Sequence, residues 1–215
     1  MVERKDFVSM DEVATALKKA RGIMADCVTF SGMGEPTLAS NLGQAIQLAR
    51  SVLGLPVAVL TNSSLMPRED VRQELAQADV VVAKVDAPTE DLFQQINRPY
   101  VAYTLNDIVQ AIRLFRLSFR GKLALQMMFV AANRDSAAEM ARIATELSPD
   151  EVQVNTPLRP CDVKPLTAGE IATIASEFGS LKGVITVYEG LKPEVTPLSS
   201  EETVRRRTKL QRNNL

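Results

Sequence analysis

Apolar residues recur along this chain with two alternating periods. Short runs that are apolar at nearly every position begin near residues 26, 56, 79, 122, 151 and 184, and stretches with a 3.6-residue stripe lie between them. Val57-Ala58-Val59-Leu60-Thr61 and Val80-Val81-Val82-Ala83-Lys84-Val85-Asp86 read as strands covered on both faces. The first helix is expected over residues 10–24, behind the capping box of Ser9 and Glu12, with Val13, Ala16, Leu17 and Ala20 on its apolar face. A second carries Leu42, Ala45, Ile46, Ala49, Val52 and Leu53 and stops at Gly54. Short helices are expected over 67–77 and Thr89 to Gln95, and a strong one behind Thr104 and Asp107. Further strands are expected over Leu123 to Ala131, 151–155 and Val184 to Tyr188, with helices around Met140 and over Ile171 to Phe178. Ser199 and Glu202 cap a last helix that carries Arg205, Arg206 and Arg207.

Strand and helix alternate through six units, which predicts a parallel sheet with helical crossovers, either an open sheet or an incomplete barrel. Polar residues close the strands: Ser31 to Glu35, Thr61 to Ser63, Lys84 with Asp86, Gln126, and Asn155 with Thr156. In a parallel α/β fold these ends meet on one rim. The stretch Val28 to Leu38 stands out, because an apolar run stops at Ser31-Gly32-Met33-Gly34-Glu35-Pro36 and a helix-prone segment follows. Gly32 and Gly34 allow close approach of a ligand to backbone, and Glu35 suits a cationic group. A tight turn with a helix-start glutamate accounts for the same residues. Lys84 and Asp86 share a strand face, so with Glu35 they offer two anions and one cation, a set that suits a zwitterionic amino-acid head group and a sugar.

Composition narrows the chemistry. The 215 residues include no histidine and two cysteines, Cys27 and Cys161, with no ligand spacing. His-based nucleophile systems, His proton shuttles and most catalytic zinc sites are thereby excluded, and the chain holds no metal cluster on its own. Cys27 is expected to be a buried small hydrophobe in its strand and Cys161 to sit in a Pro-rich loop. No apolar run approaches the ~18 residues a membrane span needs, and the first residues are no signal peptide, so a cytoplasmic location is expected. The net charge of −1 gives no overall pull toward nucleic acid. Neither a dinucleotide fingerprint nor a P-loop occurs, and no side chain is singled out as catalytic.

Ser31-Gly32-Met33-Gly34-Glu35-Pro36-Thr37-Leu38, then Leu60-Thr61-Asn62-Ser63, Val85-Asp86-Ala87 and Ile96-Asn97-Arg98-Pro99, resemble the radical S-adenosylmethionine superfamily. The resemblance is to its iron–sulfur oxidoreductase branch, which is similar to the catalytic domain of wybutosine-synthesis tRNA enzymes. It implies a partial (βα)6 barrel of parallel strands with outer helices over residues 1–160, with 161–215 as a C-terminal βα extension packed on it. It further implies S-adenosylmethionine as cofactor. Ser31 and the backbone of Gly32 and Gly34, with Glu35, would hold the methionine amino group. Thr61, Asn62 and Ser63 would line the pocket, Lys84 and Asp86 would contact carboxylate or ribose, and Asn155 to Pro157 would lie near the adenine.

Members of the superfamily bind a four-iron four-sulfur cluster through a CxxxCxxC loop that this sequence does not contain. A segment similar to Glu3 to Val8 follows that loop in look-alikes, so the first strand and cluster loop are expected to be missing and the chain to be inactive in radical chemistry. An unpaired edge on the strand at 26–31 would then invite homodimerisation. The substrate is not legible, and tRNA is implied as a partner by the resemblance alone. Three readings stay open: the barrel of a radical enzyme, a catalytically inactive binding or regulatory subunit, and an ordinary barrel enzyme using Glu35, Lys84 and Asp86 as acid–base groups.

Overall fold

A computed structural model describes residues 3–32, 34–159 and 161–190. Its elements run α1 (Met10–Lys19), β1 (Val28–Phe30), α2 (Leu42–Leu53), β2 (Val57–Thr61), α3 (Glu69–Leu75), β3 (Val80–Lys84), α4 (Glu90–Asn97), α5 (Leu105–Ser118), β4 (Lys122–Met128), α6 (Ala137–Leu147), β5 (Glu151–Asn155), α7 (Ala168–Ser176) and β6 (Val184–Thr186). Two 3-10 turns, Pro36–Leu38 and Arg134–Ser136, join them. The helix expected after Ser199, with Arg205 to Arg207, lies outside the described residues.

All six strands form one parallel sheet in the order β1-β2-β3-β4-β5-β6. Doubly wound sheets reverse their strand order at a switch point, whereas an unbroken sequential order is that of a barrel wall. The fold is a partial (βα) barrel, one of the two arrangements that the alternation of elements leaves open and the one that the resemblance implies, and β6 extends the same sheet. Alternate residues divide the wall. Val57, Val59, Val81, Ala83, Leu123, Leu125, Met127, Val152 and Val154 face the helices and join one core with Ile46, Ile112, Phe115, Met140, Ile171 and Phe178. The opposite, inner face carries Ala58, Leu60, Val82, Lys84, Ala124, Gln126, Met128, Gln153 and Asn155, and much of it is half-buried rather than sealed.

Local chemistry sets the element ends. Ser9 with Glu12, Thr104 with Asp107 and Thr167 with Glu170 all form reciprocal capping boxes. Gly54 ends α2 at φ 66°, a left-handed conformation that costs glycine nothing. Several elements are shorter than their apolar runs: α1 ends at Lys19, β4 at Met128, and β6 at Thr186. The expectation for Cys27 is corrected. Its strand starts one residue later, at the outer edge of the sheet, and Cys27 is exposed, as is Cys161. An edge strand has a neighbour on one side only, so apolar character there does not guarantee burial.

Candidate functional site

The carboxyl ends of the first three strands gather two polar groups. One is built on Glu35. The chain leaves β1 through the glycine turn, and Pro36, with its fixed φ and no N–H to leave unpaired, opens the 3-10 turn that Glu35 caps. The Glu35 Oε1 accepts from Thr37 N at 3.2 Å, Thr37 Oγ1 at 2.7 Å and Thr61 Oγ1 at 2.6 Å. Its Oε2 accepts from Asn62 N at 2.7 Å. An ionised carboxylate offers about four acceptor directions, two per oxygen. Oε1 is therefore saturated and Oε2 keeps one direction open. Among the described residues no lysine or arginine pairs with Glu35. The charge is held by neutral donors alone.

Around this carboxylate the backbone is accessible. Among the described residues, chain neighbours apart, no heavy atom lies within 4 Å of where a Cβ would stand at Gly32 or Gly34, and both residues, like Ser31, are exposed. Asn62 is exposed too, and its Oδ1 accepts from Ser64 N at 3.0 Å, which leaves its side-chain N–H groups facing out. Ser63 is placed differently. It is fully buried at φ 67°, its N–H donates to Thr61 Oγ1 at 3.0 Å, and its Oγ has no partner among the described residues.

The second group is built on Asp86. Lys84 Nζ lies 3.0 Å from Asp86 Oδ2, so the two share a face as their spacing requires. Asp86 is 2% exposed and also accepts from Met128 N at 3.0 Å and Asn97 Nδ2 at 2.8 Å. Asn133 closes the knot by donating to the carbonyls of Asp86 and Met128 at 2.7 and 2.9 Å. Asp86 thus fastens the loop after β3 to the end of β4, while Lys84, one-third exposed, is the member of the pair that solvent or a ligand reaches. No hydrogen bond joins Asn155 or Pro157 to either group among the described residues. Asn155 instead pairs with Met128, and its carbonyl accepts from Phe129 N at 2.7 Å.

Thr37, Asn97 and Asn133 belong to these groups and are not among the site residues expected from the sequence. Thr37 and Asn97 lie inside motifs that carry the resemblance, which is the signal that could have found them. Asn133 has no sequence signal beyond its place after a strand. Behind the Glu35 turn, Asp70 on α3 is held down to about 2 by the Arg68 guanidinium and, with a smaller effect, that of Arg4.

An iron–sulfur cluster needs several thiolates close together. Cys27 stands at the β1 edge and Cys161 in the loop after β5, and among the described residues no three Cys, Asp or Glu gather as metal donors. The side chains of this chain do not fit such a cluster. Among the described residues no helix is long and apolar enough to cross a membrane.

No protein-family profile matches the chain. Over 192 residues it is 32% identical to a UPF0026 protein of Methanocaldococcus jannaschii, an alignment that covers 85% of this chain and 60% of that protein. The chain spans about three fifths of the length of the curated UPF0026 relatives it matches over most of its own length. Among solved structures, TYW1 with a lysine–pyruvate adduct bound superposes with a TM-score of 0.60 at 16% identity, over 72% of this chain and 50% of that one. Streptococcus suis SuiB bound to S-adenosylmethionine gives 0.65 at 13% identity, over 80% and 42%. A radical S-adenosylmethionine methyltransferase from Sphaerobacter thermophilus superposes with a TM-score of 0.57 at 18% identity, over 80% of this chain and 53% of that one, and the chain shares the fold of these proteins.

Proposed function

We propose that this chain is the cofactor-holding part of a radical S-adenosylmethionine-type protein, with Glu35 receiving the amino group of S-adenosylmethionine. The observation that carries the reading is the state of the Glu35 carboxylate: fixed by four neutral donors, unpaired with any described cation, and open at Oε2 beside an accessible glycine turn. A fixed anion without a counter-charge, on the rim where parallel α/β folds take ligands, is complementary to an ammonium group. The exposed Asn62 amide and the Lys84 ammonium supply donors for the carboxylate end and the ribose. SuiB, with the same fold, was solved with S-adenosylmethionine bound.

When bound elsewhere in the superfamily, the cluster supplies the electron that cleaves the cofactor; the two cysteines of this chain do not make that donor set, and no radical step is assigned to it. The same reading places the protein in the cytoplasm. An inactive scaffold is the second reading, and it has its own observation: all four of the Glu35 bonds are internal, two closing the turn on Thr37 and two tying it to the end of β2.

Calorimetric titration separates the two. S-adenosylmethionine is compared with methylthioadenosine, which lacks the amino-acid head group. One charge-assisted hydrogen bond contributes ~1.5–3 kcal/mol, so the full cofactor should bind about ten- to a hundredfold more tightly. Equal affinities, or no heat from either at ~1 mM, would leave Glu35 a structural residue.

A further inference from the structure

We infer that Arg4 is a positioning residue that sets the Glu35 carboxylate from behind; the inference deepens the reading of Glu35 as the cofactor anchor and rests on it. Arg4 lies 31 positions before Glu35 in the sequence, and none of the site assignments that the resemblance implies falls on it. Its side chain is 6% exposed, an unusual burial for an arginine, and all five of its N–H donors are engaged. Nε donates to Thr37 O at 2.7 Å and Nη2 to Ala39 O at 2.6 Å. Nη1 donates to Asp70 Oδ2 at 3.0 Å and Glu74 Oε1 at 3.2 Å, and Nη2 also meets Glu74 Oε2.

The two carbonyls belong to the far end of the 3-10 turn that Glu35 caps. The turn is therefore held at both ends. Glu35 fastens its start to β2 through Thr61 and Asn62, and Arg4 fastens its finish to α3 through Asp70 and Glu74. Backbone contacts of the same segment reinforce the grip, with Lys5 N donating to Leu38 O at 3.2 Å and Ser40 N to Lys5 O at 3.2 Å. A planar five-donor fork satisfies two carbonyls and two carboxylates at once, and the ammonium of a lysine does not. Removing the fork frees the Thr37 segment to shift, and Glu35 Oε1 takes two of its three bonds from Thr37. Arg4 then acts on the ligand only through Glu35.

The test uses the whole chain with Arg4→Lys, and Arg4→Gln as the more severe variant. Amide hydrogen exchange reads the positioning without any ligand. The Asn62 N–H, which donates to Glu35 Oε2, should exchange at least about tenfold faster in Arg4→Lys, while the amides of Val82 and Leu125 in the central strands keep their protection. Unchanged exchange at Asn62 overturns the inference. So does faster exchange throughout the sheet, or loss of fold in both variants, because Arg4 would then be a general stabiliser. Titration of S-adenosylmethionine reads the consequence: an affinity about tenfold weaker in Arg4→Lys, with no further loss when Arg4→Lys is combined with Glu35→Ala. Additive losses would show that Arg4 acts independently of Glu35. If the unaltered chain does not bind the cofactor, the reading of Glu35 falls, and the exchange data alone decide whether Arg4 holds the turn.

Discussion

Ser63 carries two unfavourable features at one position, and replacing it should stabilise the protein. The residue is 0% exposed, its φ of 67° lies in the left-handed region, and among the described residues its hydroxyl meets no donor or acceptor. A non-glycine residue pays about 1–2 kcal/mol for that backbone conformation. A buried polar group without a partner costs a further ~1–3 kcal/mol. Ser63→Gly removes both and gives back ~0.5–1 kcal/mol in chain entropy, for a net gain of about 2 kcal/mol. Two contacts of the turn survive the change, because they are made by the backbone: Ser63 N to Thr61 Oγ1 at 3.0 Å and Met66 N to Ser63 O at 3.1 Å. For a chain of this size that gain raises Tm by roughly 4–8 °C. Ser63→Ala relieves the hydroxyl alone and should gain about half as much. Urea midpoints of the three proteins, measured under one set of conditions, decide the matter. Gly no better than Ala would show that the backbone is unstrained, and Gly less stable than the parent would show that the hydroxyl is satisfied and the reasoning mistaken.

Asp86→Asn should cost about 2–3 kcal/mol by urea denaturation, because it strips Lys84 of its partner and sets an amide against the donors of Asn97 and Met128. Asp70 has a carboxyl held down to about 2, so its contribution to stability is complete above the ordinary carboxylate range near ~3.9 and is lost as pH falls from there toward 2. Asp70 is half-exposed, so the effect is modest; its signature is a flatter stability profile for Asp70→Asn between about pH 4 and pH 2. Gly121→Ala should destabilise by about 1–3 kcal/mol, since its Cβ would stand 2.5 Å from both Asp79 O and the Phe119 ring, and that carbonyl is engaged by Lys122 N at 2.9 Å. A thermal melt of that variant showing no loss would contradict the packing at the start of β4.

What was legible in the sequence is what local chemistry determines. The six strand starts follow from β-branched runs closed by polar residues, and the three described capping boxes form as their spacing requires. The lengths of the ends were less legible: the Leu123 to Ala131 run outlasts its partner strand, and hydrogen bonding stops β4 at Met128. Cys27 is exposed although an apolar run begins there, because β1 starts at Val28 and stands at the edge that the resemblance implies for it, with one neighbouring strand to cover it. The spacing of Lys84 and Asp86 put them on one face, but the depth of Asp86 depends on Asn97 and Asn133, which arrive from other loops. Arg4 lies in a segment that the resemblance touches, but nothing local gives it a role, since its partners lie 33 to 70 positions away and become neighbours only when α3 packs behind the turn.

The central claim is that Glu35 holds the amino group of S-adenosylmethionine, and amide NMR of this chain tests it most directly. Addition of the cofactor should shift the Asn62 and Thr37 resonances saturably, because both amides donate to the Glu35 carboxylate. In Glu35→Gln the same additions should leave the spectrum unmoved at ~1 mM, the charge-assisted bond being lost. Saturable shifts that persist in the variant, or a parent spectrum that never moves, would contradict the account.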